Sequence, residues 1–268
     1  MKQNGKVILW CVIALVIMIM SFIVIGRVET VSDDYIEFSF ETNQFDRKVL
    51  ASLPQILISV KDRGDTAQIV VRSKDTVNHF TSQRFSQYKE GMEKFLHKTS
   101  FIDFDSEEVV NLSNQLNLSE LSPLDCAKTV LNTINQNAGL IQFDEELADK
   151  IICGESLGYS ASETLRRGKG TCGEFTNVFI ALMRLNNIPC KYICGFYLNP
   201  EHQTLHAWAE FYDKNLGWVP VDPQNGMLGV SPYHIKLLEG KDFQDTGSDF
   251  SKLLVGNFKI IKTMENHP

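Results

Sequence analysis

Positive charge is in short supply in this 268-residue chain: 26 Lys and Arg stand against 33 Asp and Glu, a formal net charge of −7. Lys2, Lys6 and Arg27 fall within the first 27 positions, which hold no acid, so the remainder is more acidic still. No broad basic face for nucleic acid is expected from such a balance. Cysteine is also scarce, six residues in all, which excludes a disulfide scaffold. Glycine patterns of the Walker or Rossmann kind are missing, and so is an acidic D-x-[DN]-x-[DN]-G loop. Nothing therefore calls for a nucleotide or calcium, and no cofactor is expected. There is neither an internal repeat nor a low-complexity tract. With 43% hydrophobic and 22% charged residues the chain is an ordinary globular one, long enough for one large domain or two small ones.

Long apolar runs are missing too, with one exception. Val7 to Ile25 is an unbroken apolar stretch whose most polar member is Ser21. As a helix it would span about 28 Å, close to the roughly 30 Å of a hydrocarbon core. It ends in Ile25-Gly26-Arg27, without the small-residue pattern of a cleavage site, and so reads as an uncleaved anchor, with a cleaved signal peptide as the alternative. Lys2 and Lys6 precede it, while Glu29, Asp33 and Asp34 follow. That bias predicts a single-pass membrane protein with a cytoplasmic N-terminus and its remaining residues outside the cytoplasm.

Export changes how the five later cysteines are read. Cys126, Cys153, Cys172, Cys190 and Cys194 allow two disulfides and one free thiol, or a free Cys172 with four small buried companions. Cys190 and Cys194 lie about 13 Å apart along an extended strand, too far to bridge one another.

Three boundaries follow from pattern changes: 1–27, stub and anchor; 28–105, a small α/β module; and 106–268, a catalytic domain. In the module, Tyr35–Phe40, Gln55–Val60 and Ala67–Val71 have strand character, and the apolar spacing from Val77 to His97 predicts a helix. Beyond it, helices are expected from Ser106 and from Ser122-Pro123, the latter running to Asn137-Ala138-Gly139.

The chemistry gathers around Gly170-Thr171-Cys172-Gly173-Glu174. Thr171 and Glu174, three apart, form a capping box, and Phe175, Val178, Phe179, Leu182 and Leu185 continue with helical spacing until Asn186-Asn187-Ile188-Pro189. Cys172 thus opens a helix, where unpaired N–H groups and the dipole favour thiolate. Gly170 and Gly173 are expected to leave room for a substrate backbone. Thr204–Tyr212 alternates, and Asp213-Lys214-Asn215 turns it into Gly217–Asp222, a hairpin. With the turn centred near Lys214 or Asn215, Asp222 lies opposite His206 or one diagonal away, on the same face. A thiol, an imidazole and a carboxylate that fixes its tautomer are the parts of an acyl-transfer triad: Cys172, His206, Asp222.

The pattern resembles the transglutaminase-like superfamily of papain-like thiol enzymes. The resemblance rests on Ala161-Ser-Glu-Thr-Leu165, Gly168-Lys-Gly-Thr-Cys-Gly-Glu-Phe175, His206-Ala-Trp-Ala-Glu210 and Gly217-Trp-Val-Pro-Val-Asp-Pro223, and extends over roughly residues 120–250. It implies an α+β fold, with the Cys172 helix packed on an antiparallel sheet that supplies His206 and Asp222. It also implies a peptidase, amidase or cross-linking enzyme acting on protein or peptide substrates. A catalytically silent, membrane-tethered binding module of the same fold is the alternative. No metal site is expected: His202 and His206 are four apart, but the second sits in a strand. Tyr159 and Trp208 are unranked guesses for a second oxyanion donor. Trp208 could wall the cleft or lie in the core. Arg166, Arg167 and Lys169 read as a solvated basic turn.

Overall fold

In a computed structural model the described residues are 35–77, 91–201, 203–253 and 255–263. The expected anchor, Val7–Ile25, lies outside them. Among the described residues no helix is long and apolar enough to cross a membrane.

The chain begins with β1 (Tyr35–Thr42), a single turn of helix α1 (Arg47–Leu50), β2 (Gln55–Asp62) and β3 (Ala67–Lys74). These are the three expected strands, each slightly longer than the alternation suggested. Of the helix expected over 77–97, residues 78–90 lie outside the described set, and Met92–Leu96 forms a 3-10 turn. Then come α2 (Glu107–Gln115), α3 (Pro123–Ile134), β4 (Gln142–Phe143), α4 (Glu145–Ile152), α5 (Ala161–Arg167), β5 (Lys169–Gly170) and α6 (Cys172–Leu185). The last part holds β6 (Cys190–Leu198), β7 (Gln203–Asp213), β8 (Gly217–Asp222), β9 (Met227–Leu228), β10 (His234–Gly240) and β11 (Val255–Thr263).

Helix α3 stops earlier than its spacing suggested. The Asn135 side chain donates back to Leu131 O at 3.0 Å and accepts from Asn137 N and Ala138 N, closing the last turn. The start is as expected, with Ser122 accepting from Asp125 N and Pro123 in the first turn.

Two antiparallel sheets organise the strands. One has the order β11-β1-β3-β2, the other β10-β6-β7-β8-β9. The first thus takes its β11 edge from the far end of the chain, so residues before 105 and after 250 share one sheet. Its Phe38, Phe40, Ile69 and Val71 pack against Phe196, Leu198, Ile235 and Leu237 of the second. Gln55 strengthens the join: its side-chain amide donates to Lys236 O at 2.9 Å and accepts from Lys236 N at 2.8 Å, pairing the edge of β10 as a further strand would. Lys236 itself is buried, donating to Glu210 and to Leu53 O, each at 2.7 Å.

Helix α6 is buried along the second sheet. Phe175, Val178, Phe179 and Leu182 meet Cys194, Ala207, Ala209, Phe211, Val219 and Val221 in the larger core. Truncating one such phenyl ring costs about 3–5 kcal/mol. This packing fixes the helix against the strands, and therefore fixes what its first residue faces.

Candidate active site

Cys172 is the first residue of α6, after Thr171 in extended backbone. The expected capping box closes through its Glu174 arm: one carboxylate oxygen accepts from Thr171 N at 2.8 Å and from Thr171 Oγ1 at 2.7 Å. The other accepts from Tyr159 N at 3.0 Å, which clamps the preceding loop onto the helix start. Glycine is required on both sides of this clamp. A Cβ on Gly158, whose φ is +88°, would lie 2.1 Å from Glu174 Oε1, and one on Gly170 would lie 2.4 Å from Glu174 Cβ. The space at Gly170 is therefore taken by Glu174 and is not left for substrate, contrary to expectation. Gly173 does line the cavity described below, where a Cβ would come within 3.1 Å of Tyr192 Oη. Burial raises the Glu174 carboxyl above its ordinary range, although its three hydrogen bonds work the other way.

The hairpin takes the second of its two expected registers. Ala209 faces Val221 and Asp213 faces Gly217, which leaves Asp222 one diagonal from His206 on the same face. Asp213 is buried and accepts from Asn215 N and Leu216 N, which sets the turn and hence the register. His206 Nε2 meets Asp222 Oδ2 at 2.9 Å. That leaves Nδ1 as the ring nitrogen free for Cys172, whose side chain lines the same cavity and interacts electrostatically with His206. The three residues predicted from spacing are thus brought together.

Burial pulls the His206 imidazole down, but the Asp222 charge, its hydrogen bond and the contact with Cys172 outweigh it and raise the group to about 10. Asp222, with no exposed surface, would be pushed up by desolvation, yet the charge and hydrogen bond of His206 and the hydrogen bond of His234 hold it well below the carboxylate range. Asn225 adds two donors, its Nδ2 at 2.7 Å and its backbone N at 3.2 Å.

His234 was not foreseen. Its Nε2 lies 3.2 Å from the same Asp222 oxygen as His206, and its Nδ1 meets Ser231 Oγ at 3.0 Å. Burial lowers its affinity for a proton despite Asp222. No local signal marks it, because β10 reaches the site through pairing with β6. His206, Asp222 and His234 also offer three atoms within 4.8 Å of one another, a set able to hold a metal ion. His202, the other member of the spacing considered from sequence, lies outside the described residues.

The site opens into a cavity of about 670 Å³ lined by Cys172, Gly173, His206, Tyr192, Tyr197, Asn225 and a run of apolar side chains. Neither Tyr159 nor Trp208 is part of that lining. Tyr159 spends its N–H on Glu174 and its carbonyl on Asn177 Nδ2. Trp208 is fully buried and stacks on His206, centroids 6.0 Å apart and planes 27° apart, so it backs the imidazole. All five described cysteines are free. Cys126, Cys190 and Cys194 are buried, the first and last pushed up to about 12 by desolvation, but Cys153 is exposed and breaks the expectation of buried companions.

Residues 112–223 match the transglutaminase-like superfamily, a stretch that holds Cys172, His206 and Asp222. Over that segment the chain is similar to the superfamily. Its members are generally cysteine peptidases and acyltransferases. An uncharacterized protein of Haemophilus influenzae is 24% identical over 237 residues, covering 79% of this chain, and the chain spans 58% of that relative's length. YebA of Bacillus subtilis, also uncharacterized, is 23% identical over 129 residues, 42% of this chain and 15% of its own. Among solved structures, a candidate cysteine protease from Cytophaga hutchinsonii shares the fold with a TM-score of 0.52 at 15% identity, covering 88% of this chain and 93% of that one. The α+β architecture with antiparallel sheets is therefore transglutaminase-like.

Proposed function

We propose that this chain is a thiol acyl-transfer enzyme acting on amide or peptide bonds of protein or peptide substrates, tethered by Val7–Ile25 with its catalytic part outside the cytoplasm. The observation that carries the reading is the chain of contacts from buried Asp222 through His206 to Cys172, at a helix start that faces a cavity. The tether rests on the apolar run and its flanking charges.

In this reading Cys172 Sγ attacks the carbonyl carbon, and the oxyanion forms beside the Cys172 backbone N–H at the helix start. His206, charged through neutral pH, gives its proton to the leaving nitrogen as the C–N bond breaks. Asp222 holds the ring with Nε2–H toward itself and offsets its charge. The thioester then passes to water, giving the acid, or to a primary amine, giving a new amide; in either case His206 takes the proton of the attacking group.

The test is to incubate the full-length chain with glutamine-containing and peptide amides, with and without a primary amine acceptor. Release of ammonia or peptide amine is expected, to be lost in Cys172→Ala. Release that is equal in Cys172→Ala would refute the reading and leave the binding module standing. Full-length protein should sediment with membranes, and an intact chain found wholly in the supernatant would remove the tether.

A further inference from the structure

The cavity wall beside Cys172 has an unusual composition. Among the described residues no Lys, Arg or Asp lines it, and its carboxylate, Glu174, is closed off by Thr171 and Tyr159. The basic turn next to it faces elsewhere: Arg166 pairs with Glu108 at 2.7 Å, Lys169 with Asp144 at 3.1 Å, and Arg167 lies 4.1 Å over the Tyr159 ring. Three large apolar side chains of the lining are instead left in water, Phe143 at 44% exposure, Leu157 at 58% and Ile152 at 60%. Grouped exposure of that kind marks a surface that is covered in use.

This wall is built onto the nucleophile's own neighbours. Phe143 pairs in parallel register with Gly170, two residues before Cys172. Leu157 precedes Gly158 and Tyr159, which are held against Glu174 two residues after Cys172, and Asn177 of α6 donates to Tyr159 O at 2.9 Å. Ile152 ends α4, next in the chain. On this side an acyl group over Cys172 therefore meets a fixed apolar wall, and the charged His206 of the lining already has its counter-ion in Asp222.

Resting on the acyl-transfer reading, we infer that the acyl donor carries a large apolar side chain, of the leucine or aromatic class, beside the attacked carbonyl, and that Phe143, Ile152 and Leu157 cover it. A charged group at that place would give up its hydration for no partner.

Alkylation of Cys172 tests this without a known substrate. The full-length chain is treated briefly with iodoacetamide, with N-phenyl-iodoacetamide or with the para-carboxylated phenyl reagent. Cys172 labelling is read by peptide mapping, and each rate is divided by that reagent's rate with glutathione. The phenyl reagent should gain roughly tenfold over iodoacetamide from partial burial of its ring, and the carboxylated form should lose that gain. The double variant Ile152→Asp/Leu157→Asp should remove the advantage, with the single changes Ile152→Ser and Leu157→Ser each removing part of it. Leu140→Asp, at a 55% exposed position outside the lining, should leave it intact. A phenyl advantage that is absent, or that survives the double variant, while Cys172 remains the first thiol labelled overturns the substrate inference and spares the thiol chemistry. Another cysteine labelled first by iodoacetamide overturns both.

Discussion

The start of helix α6 and the β7–β8 hairpin each bury a carboxylate beside the cavity, and their proton affinities are shifted in opposite directions. Glu174 accepts three hydrogen bonds from neutral donors, yet burial still raises it. Asp222 is buried at least as fully, but it lies well below its ordinary range because two imidazoles, one of them charged, face it. The number of donors does not decide the matter; the charge behind them does. Asp222 is thereby kept as an anion able to stabilise a charged ring, whereas Glu174 serves as a clamp on the Tyr159 loop.

The sharpest way to break this contrast is Asp222→Asn. The amide keeps the size but has one acceptor oxygen in place of two, so it holds only one of the two Asn225 donors. It also removes the charge, and the ring loses both its tautomer preference and its anionic partner. Rate should fall by up to about 10⁴-fold with the fold retained. The pH profile should move as well. A His206 raised to about 10 stays charged through neutrality and loses its proton as pH rises through that value, so the alkaline limb of activity should lie near there in the native chain. In Asp222→Asn it should shift down toward an ordinary imidazole, about 6.5. The same sign governs stability: the His206 contribution is complete below about 6.5 and is lost as pH rises through about 10. That of Asp222 is present above its ordinary value and is lost as pH falls through the depressed one. An unmoved limb and a near-native rate would reduce the mechanism to a Cys172–His206 dyad.

A smaller effect should separate the two imidazoles on Asp222. His234 is held neutral by burial, so it supplies a hydrogen bond and not a charge. A hydrogen bond to a charged group is worth about 1.5–3 kcal/mol, which makes His234→Ala roughly a ten- to hundredfold loss in rate. Since the Asp222 charge remains, the alkaline limb should stay in place. A limb that moved with the rate would show that His234 carries charge in the working site.

How far this arrangement could be read from the chain depends on the range of the contact. The Thr171–Glu174 spacing located Cys172 at a helix start, and the alternation of Thr204–Tyr212 with a short turn put His206 and Asp222 within reach of each other; both are local patterns. His234 and Gln55 were invisible because period 2 says which face a residue takes but not which strand lies beside it. The same limit hid β11, which pairs with β1 from the other end of the chain. Glu174 was legible as a cap residue only in part: its second oxygen acts on Tyr159, and that contact, not a substrate, explains Gly158 and Gly170.

Glu174→Gln tests the other half of the contrast and should have the smallest effect on chemistry. A glutamine offers one acceptor oxygen where the carboxylate offered two. Its NH₂ must then face either the Thr171 N–H or the Tyr159 N–H, both of them donors. One backbone N–H is left without an acceptor, at a cost of about 1–3 kcal/mol. Thermal unfolding should register that loss directly, and the loop at Tyr159 should become easier to cleave by added protease. The folded fraction should still turn over substrate within about tenfold of native, because His206 and Asp222 are untouched and Cys172 still heads the helix. This is the reverse of Asp222→Asn, which keeps the fold and loses the rate. A Glu174→Gln chain with native melting and no turnover would mean that this carboxylate takes part in the reaction, and the division between clamp and counter-ion would fail.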